Sequence, residues 1–206
     1  MLYTGIVSLL PLLQNIDTTW FWSLYGLSHQ SAFLDAIGVF FAEYAAYVWA
    51  ILLAIALVWP SEHKERNRVA VIISVITAFI ARYVVKAAIV FAYPRPRPFV
   101  NLSAVHPLIT TLPWENLQSF PSGHAIFFFA LAGVLYCFNK KIGLWALLAA
   151  TLIGIARIYV GVHWPSDILG GAVLGLFTSW LMCRLYRTYS EHIERGIAVF
   201  FKWLHI

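Results

Sequence analysis

Residues 121–175 read PSGHAIFFFALAGVLYCFNKKIGLWALLAATLIGIARIYVGVHWPSDILGGAVLG. Apolar runs occupy about 123–138 and 142–161, and a further run begins at 167 and continues to about 186. They are separated by Asn139-Lys140-Lys141 and by the short turn from His163 to Asp167. A helix crosses a bilayer with about 20 mostly apolar residues. The second and third runs meet that length and the first is on the short side. Toward the N-terminus, two more runs of sufficient length stand at about 37–59 and 69–91. Of the 206 residues, 61% are hydrophobic and 11% charged, whereas a soluble domain carries about a quarter charged residues. So few charges cannot keep a surface wet, so lipid must cover much of it. The expected fold is all-α, a polytopic membrane helix bundle with five or six transmembrane helices.

Residues 1–36 are apolar in patches, broken by Pro11, Asn15, Asp17, Gly26, Ser28 and Asp35. They read as a helix lying at or partly in the interface, with a sixth span as the alternative. No basic leader or small-residue cleavage site precedes the first apolar run, which is therefore expected to be retained. There is no internal repeat, so a single domain covers 1–206: an interfacial or first membrane helix at 1–36, core spans at 37–186 and a cytoplasmic tail at 187–206. The net charge of +5 does not point to nucleic acid, because no basic helical face is present. Instead the basic residues set topology. SEHKERNR (61–68), Asn139-Lys140-Lys141 and the tail with Arg184, Arg187, Arg195 and Lys202 fall on one side of a five-span arrangement. By the positive-inside rule that side is cytoplasmic, which puts the long connection 92–122 and the His163–Asp167 turn outside. Cys137 and Cys183 lie near the ends of apolar runs, lack a Cys-x-x-Cys pattern and read as packing residues without a disulfide.

The polar residues within the spans gather at one depth, the outer helix ends. Lys86 ends one span; Ser122, Gly123 and His124 open the next; Arg157 ends the following one; His163 and Asp167 begin the last. Ionisable groups at membrane depth are costly and face a bundle interior or an aqueous cavity. Snorkelling at a helix end explains any one of them alone; it does not explain the convergence of two Arg-Pro pairs (Arg95, Arg97), two histidines and an aspartate. Arg forks and a Lys point charge suit phosphate, and the small residues of Pro121-Ser122-Gly123-His124 open a helix N-terminus where an anion is favoured. Two histidines permit a nucleophile on phosphorus and an acid for the leaving oxygen. Asp167, four residues after His163, is placed to fix the imidazole tautomer. Cationic side chains then supply the charge stabilisation, and no metal or cofactor is required. A zinc or iron site from His124, His163 and Asp167 is the competing reading, and the surrounding arginines oppose it by repulsion.

These residues resemble the type 2 phosphatidic acid phosphatase (PAP2) superfamily, which is marked by Lys-x6-Arg-Pro, Pro-Ser-Gly-His and Ser-Arg-x5-His-x3-Asp. The second motif is intact at Pro121 to His124; the third reads Ala156-Arg157, five residues, His163, three residues, Asp167. Ala156 stands where the family has Ser. In the first motif eight residues separate Lys86 from Arg95 and ten separate it from Arg97, leaving open which arginine binds phosphate and whether Lys86 reaches the site. The resemblance implies His163 as nucleophile, Asp167 as its partner and His124 as general acid. It further implies Arg157 with Arg97 or Arg95 on the phosphate and no metal; Ser122 and Gly123 at the helix N-terminus are expected to join them, as is Lys86 if it reaches the site. FFAEYAAYVW, YPRPRPF and ARIYVGVHWPSDILGG further resemble bacterial undecaprenyl-diphosphate phosphatases of the bacitracin-resistance type. Those recycle the polyprenyl carrier of cell-wall synthesis at the outer face of the cell membrane. Phosphatidylglycerophosphate and phosphatidic acid phosphatases share the motifs. The partners implied are a lipid phosphate or polyprenyl diphosphate and membrane lipids.

A reading from another class is a lipid-phosphate binder or transporter; intact His124, His163 and Asp167 favour the enzyme, since binding alone needs only Arg and Lys. Gly170, Gly171 and Gly175 are expected to let two spans approach closely. The remaining histidines, including His205, read as surface residues and the aromatic tail FFKWLHI as an interface anchor. Glu43, the acidic residue inside the first core span, is expected either to pair with Lys86 or Arg82 or to reach the interface.

Overall fold

The shortest apolar run forms the centre of the bundle. The computed structural model describes residues 2–60 and 62–203. In chain order the helices are α1 (Leu2–Tyr25), α2 (Ala32–Val58), α3 (Lys64–Ala92), α4 (Pro98–Asn101), α5 (Gly123–Phe138), α6 (Lys140–Tyr159) and α7 (Pro165–Trp203). A 3-10 turn at Pro113–Glu115 lies in the long connection before α5. With 16 residues, α5 is about 24 Å long at 1.5 Å per residue, short of the roughly 30 Å hydrocarbon core. It is nonetheless apolar on every side, and Ala125, Ile126, Ala130, Ala132 and Val134 are completely buried. α3, α6 and α7 pack around it, so protein rather than lipid is its solvent. α2, α3, α6 and most of α7 have the length and hydropathy of membrane spans. This is a multi-pass membrane protein.

The α5–α7 seam is closed by glycines. A Cβ on Gly171 would stand 2.7 Å from the Cβ of Ala125, and one on Gly175 would stand 2.6 Å from the Ile126 carbonyl oxygen. The expected close approach is therefore made between these two helices. Cys137 and Cys183 are joined by a disulfide, contrary to their reading as unpaired packing residues. α5 and α7 both start at the site end, and the cysteines lie at matching depths near the other end of the same seam.

Some boundaries differ from those expected. Ser31 caps α2, its Oγ accepting the Leu34 N–H, so the helix begins five residues before the expected position 37. α7 continues past 186, interrupted at Tyr189 (φ −120°, ψ 22°). The break lets Ile193 and Ile197 pack on the cluster containing Val69, Ala70 and Ile73, covering the basic end of the bundle. α1 brings Phe21 to 5.3 Å from the Trp164 ring and stacks it on Tyr25. Its C-terminal half is thereby docked on α6 and α7 at the end that carries the candidate site. The expectations for His205 and the end of the aromatic tail lie outside the described residues.

π-helical turns interrupt α2 at Phe40–Tyr44 and α3 at Ala81–Val85. Each re-aims the side chains around it. In α2 the turn directs Ala42 inward and leaves Glu43 exposed. Among the described residues Glu43 makes no ion pair with Lys86 or Arg82, while its charge acts on Arg157. Of the two readings of Glu43, the pairing is not formed, and the exposed side chain accords with reaching the interface.

Candidate active site

Pro94 and Pro96 fix φ and hold the residues before them in extended conformation, so the chain leaves α3 as an extended strap. The Arg95 N–H donates to the Leu117 carbonyl (3.0 Å), the Ser119 N–H to the Arg95 carbonyl (3.0 Å) and the Arg97 N–H to the Asn116 carbonyl (2.9 Å). Pinned in this way, the two arginines have different surroundings. Arg95 donates from Nη1 to Asp167 Oδ1 (2.6 Å) and Ser166 Oγ (2.7 Å), and from Nη2 to Asp17 Oδ2 (2.6 Å). Burial alone would weaken its charge, but the Asp167 and Asp17 carboxylates outweigh this and hold its pKa above the ordinary value. Arg97 is 3% exposed, and among the described residues its guanidinium pairs with Glu115, at 3.5 Å from Nη2. Its pKa is lowered from the usual value by burial.

Arg97 faces a pocket of other cations. Lys86 lies within electrostatic reach of Arg82, Arg97, Glu115 and Arg157. A Cβ on Gly123 would stand 2.9 Å from Arg82 Nη1 and 3.2 Å from Lys86 Nζ, so both cations close on the start of α5. Ser122 caps the helix with Oγ accepting the Ala125 N–H (3.5 Å), and its own N–H donates to the Asp167 carbonyl oxygen (3.1 Å). From α6, Arg157 donates from Nη1 to the Ala42 carbonyl oxygen (3.1 Å). Arg97 Nε and Nη1 and Arg157 Nε are buried without a hydrogen-bond partner among the described residues. Buried donors on a charged group are costly to leave unpaired. An anion with several acceptor oxygens is the group that would satisfy them together.

The turn Val160–Trp164 presents His163, which is 1% exposed, toward this cluster of cations. Its Nδ1 faces Asp167 Oδ2 at 3.4 Å, and the Ser119 backbone also hydrogen-bonds the ring. Asp167 Oδ2 further accepts from the Ser119 hydroxyl (2.5 Å) and the Trp164 N–H (2.9 Å), while Oδ1 holds Arg95. The His163 pKa is pushed well below its ordinary value, first by burial and then by the charges of Arg97, Arg157 and Lys86. The ring is therefore neutral near pH 7 and keeps a lone pair. His124, half-buried, stacks on Phe128 with centroids 6.4 Å apart and lies within electrostatic reach of His163, Arg82, Arg97 and Arg157.

The sequence model of the PAP2 superfamily matches residues 69–191. This chain belongs to the PAP2 superfamily. It is similar to undecaprenyl-diphosphatase BcrC of Bacillus subtilis, with 36% identity over 87% of this chain and 89% of that protein. Undecaprenyl-diphosphatase of Sulfolobus acidocaldarius is 33% identical over 78% of this chain and 74% of its own length. Among solved structures, Aquifex aeolicus LpxE superposes with a TM-score of 0.65 and 27% identity, covering 82% of this chain and 95% of that one. The protein is accordingly a membrane phosphatase of the PAP2 type.

All nine residues singled out in the sequence lie around this candidate site, but Arg95 and Arg97 occupy different parts of it. Lys86 reaches the pocket despite its unusual spacing, from a helix whose register is altered by the π turn just before it. Asp17, Arg82, Glu115 and Ser119 were not singled out as site residues. Arg82 had a sequence signal, since it lies one turn before Lys86 on the same face. Asp17, Glu115 and Ser119 meet the site only through the tertiary fold and had no local signal.

Proposed function

We propose that the chain hydrolyses a polyprenyl diphosphate, undecaprenyl diphosphate in the first instance, to the monophosphate and inorganic phosphate. The observation that carries this reading is the set of unpaired, buried N–H groups on Arg97 and Arg157, together with Lys86, beside a neutral His163. His163 Nε2 attacks the terminal phosphorus. The bond from that phosphorus to the bridging oxygen breaks, and His124 protonates the departing oxygen. Asp167 retains the proton on Nδ1 and stabilises the positive charge that develops on the ring. Water, deprotonated by His124, then cleaves the phosphohistidine and releases inorganic phosphate. Arg97, Arg157, Lys86 and the α5 N-terminus at Ser122 and Gly123 hold the phosphoryl oxygens as charge redistributes. Arg95 serves by holding Asp167, whose oxygens are already engaged by Arg95, Ser119 and Trp164.

The active site faces the periplasmic or extracellular side of the cell membrane. The supporting feature is charge: the site end lies opposite the end bearing Lys64, Arg66, Arg68, Lys140 and Lys141. The diphosphate preference draws on the similarity to the two undecaprenyl-diphosphatases. It is tested by phosphate release from undecaprenyl diphosphate, phosphatidylglycerophosphate and phosphatidic acid, each presented to the purified protein in EDTA. The highest kcat/KM is expected on the diphosphate. A higher value on either glycerolipid would reassign the substrate, and activity dependent on added metal would overturn the mechanism.

A further inference from the structure

We propose that Asp17 of α1 is a positioning residue for the reaction, acting through Arg95 on Asp167 and hence on His163. The inference rests on the phosphatase reading above and extends the site beyond residues 69–191, where the superfamily model matches. Asp17 is 6% exposed and its carboxylate is fully engaged. Oδ1 accepts the Ser166 N–H (2.8 Å), and Oδ2 accepts both the Ser166 hydroxyl (2.6 Å) and Arg95 Nη2 (2.6 Å). Ser166 is the second residue of α7, so its N–H is one of the amides a helix leaves without an internal partner. Asp17 thus caps α7 from 149 residues away, with its negative charge at the end of the dipole that favours it.

The consequence for chemistry runs through the Arg95 plane. A guanidinium is rigid, and this one is held between two buried carboxylates, with Nη2 on Asp17 and Nη1 on Asp167 Oδ1. Fixing Oδ1 fixes the rotation of the carboxylate, and so the place of Oδ2, the oxygen that faces His163 Nδ1. Asp17 touches neither the imidazole nor the phosphate pocket. Its loss should disturb orientation of the working histidine while leaving the phosphate cations where they are. α1 then completes the active site, and its docking sets how well His163 is aimed.

The test uses the full chain in lipid nanodiscs, with Asp17→Asn and Asp17→Glu. Asparagine keeps the shape but sets an NH2 or a neutral oxygen against Arg95. A fall in kcat of about tenfold is expected, the lower end of the range for groups that orient a metal-bound histidine, because Asp17 acts through Arg95 and Asp167; KM for undecaprenyl diphosphate should be unchanged within about twofold. Asp17→Glu should restore part of the loss. In 15N-histidine spectra, the Nδ1–H resonance of His163, assigned by its disappearance in His163→Ala, should move toward free imidazole in Asp17→Asn. A helix tether without a positioning role would lower the yield of folded protein but leave kcat per folded molecule and this resonance unmoved, and that result overturns the proposal. Should Asp17→Asn not accumulate, Ser166→Ala removes the hydroxyl shared by Asp17 and Arg95. It should lower kcat at constant KM, and an unchanged kcat overturns the proposal equally. If the wild-type protein releases phosphate from no lipid, the phosphatase reading falls, while the histidine resonance still decides the positioning.

Discussion

Replacing Arg97 by Met removes one cation from the phosphate pocket and keeps an unbranched side chain in a nearly closed space. Two of the lost donors, Nε and Nη1, are buried without protein partners. Hydrogen bonds to charged groups contribute about 1.5–3 kcal/mol each. Loss of both from the phosphoryl group therefore weakens the transition state by about 3–6 kcal/mol, or about 10²- to 10⁴-fold in kcat/KM. Stability should move the other way. Each unpaired buried donor costs about 1–3 kcal/mol in the folded protein, and the substitution removes that cost. The partner left behind, Glu115, is one-third exposed and can hydrate, so its contact contributes at most about 1 kcal/mol. The unfolding temperature of Arg97→Met in phosphate-free detergent should hold or rise, and added phosphate should no longer raise it. Arg95→Met gives the contrast. It leaves Asp17 and Asp167 as buried, uncompensated carboxylates, a loss of about 3–5 kcal/mol, so stability and activity should fall together. Thermal unfolding and phosphate release, measured on the same preparations, read both quantities. A loss of less than tenfold in kcat/KM for Arg97→Met, or equal destabilisation by the two substitutions, would refute the division of roles between these arginines.

Glu115 contacts Arg97 and its charge acts on Lys86 and Arg157. Glu115→Gln should therefore tighten inhibition by inorganic phosphate about two- to fivefold, the size of a partly exposed charge contact; unchanged or weaker inhibition would place the carboxylate outside the phosphate path. Because the folded protein depresses the His163 pKa, its stability contribution is fully present above the unfolded value near 6.5 and declines as pH falls from there toward the folded value. The wild-type unfolding temperature should drop more than that of His163→Ala between about pH 7 and pH 5, and parallel curves would contradict a neutral buried ring. For topology, an impermeant thiol reagent on intact cells should label Ser103→Cys and spare His63→Cys; the opposite pattern would move the chemistry to the cytoplasm.

Much of the site was legible because its chemistry is written in contiguous motifs at helix ends. Pro121 to His124 and the Arg157–His163–Asp167 spacing each lie within one turn or one loop, so the sequence order already implies their proximity. The seam at Gly171 and Gly175 was legible for the same reason, as small residues recur on one helix face. The rest depends on how separate elements meet. Arg95 and Arg97 look equivalent as Arg-Pro pairs, and only the pairing of their strap with 116–119 gives them different neighbours. Asp17 read as a break in an apolar segment, because its partner Ser166 is 149 residues away. Cys137 and Cys183 required knowing that α5 and α7 run the same way in contact. Glu43 lies in a π turn at Phe40–Tyr44 that no local sequence signal announces, and its side chain is exposed.

The central claim is that the terminal phosphate passes through His163. It is tested most directly by mixing the purified protein with undecaprenyl diphosphate labelled at the terminal phosphorus. The reaction is quenched in alkali and the label mapped by mass spectrometry. The account predicts an alkali-stable, acid-labile phosphoryl group on the peptide containing His163, accumulating further in His124→Ala and absent in His163→Ala. Label on any other residue, or sustained phosphate release by His163→Ala, would contradict it.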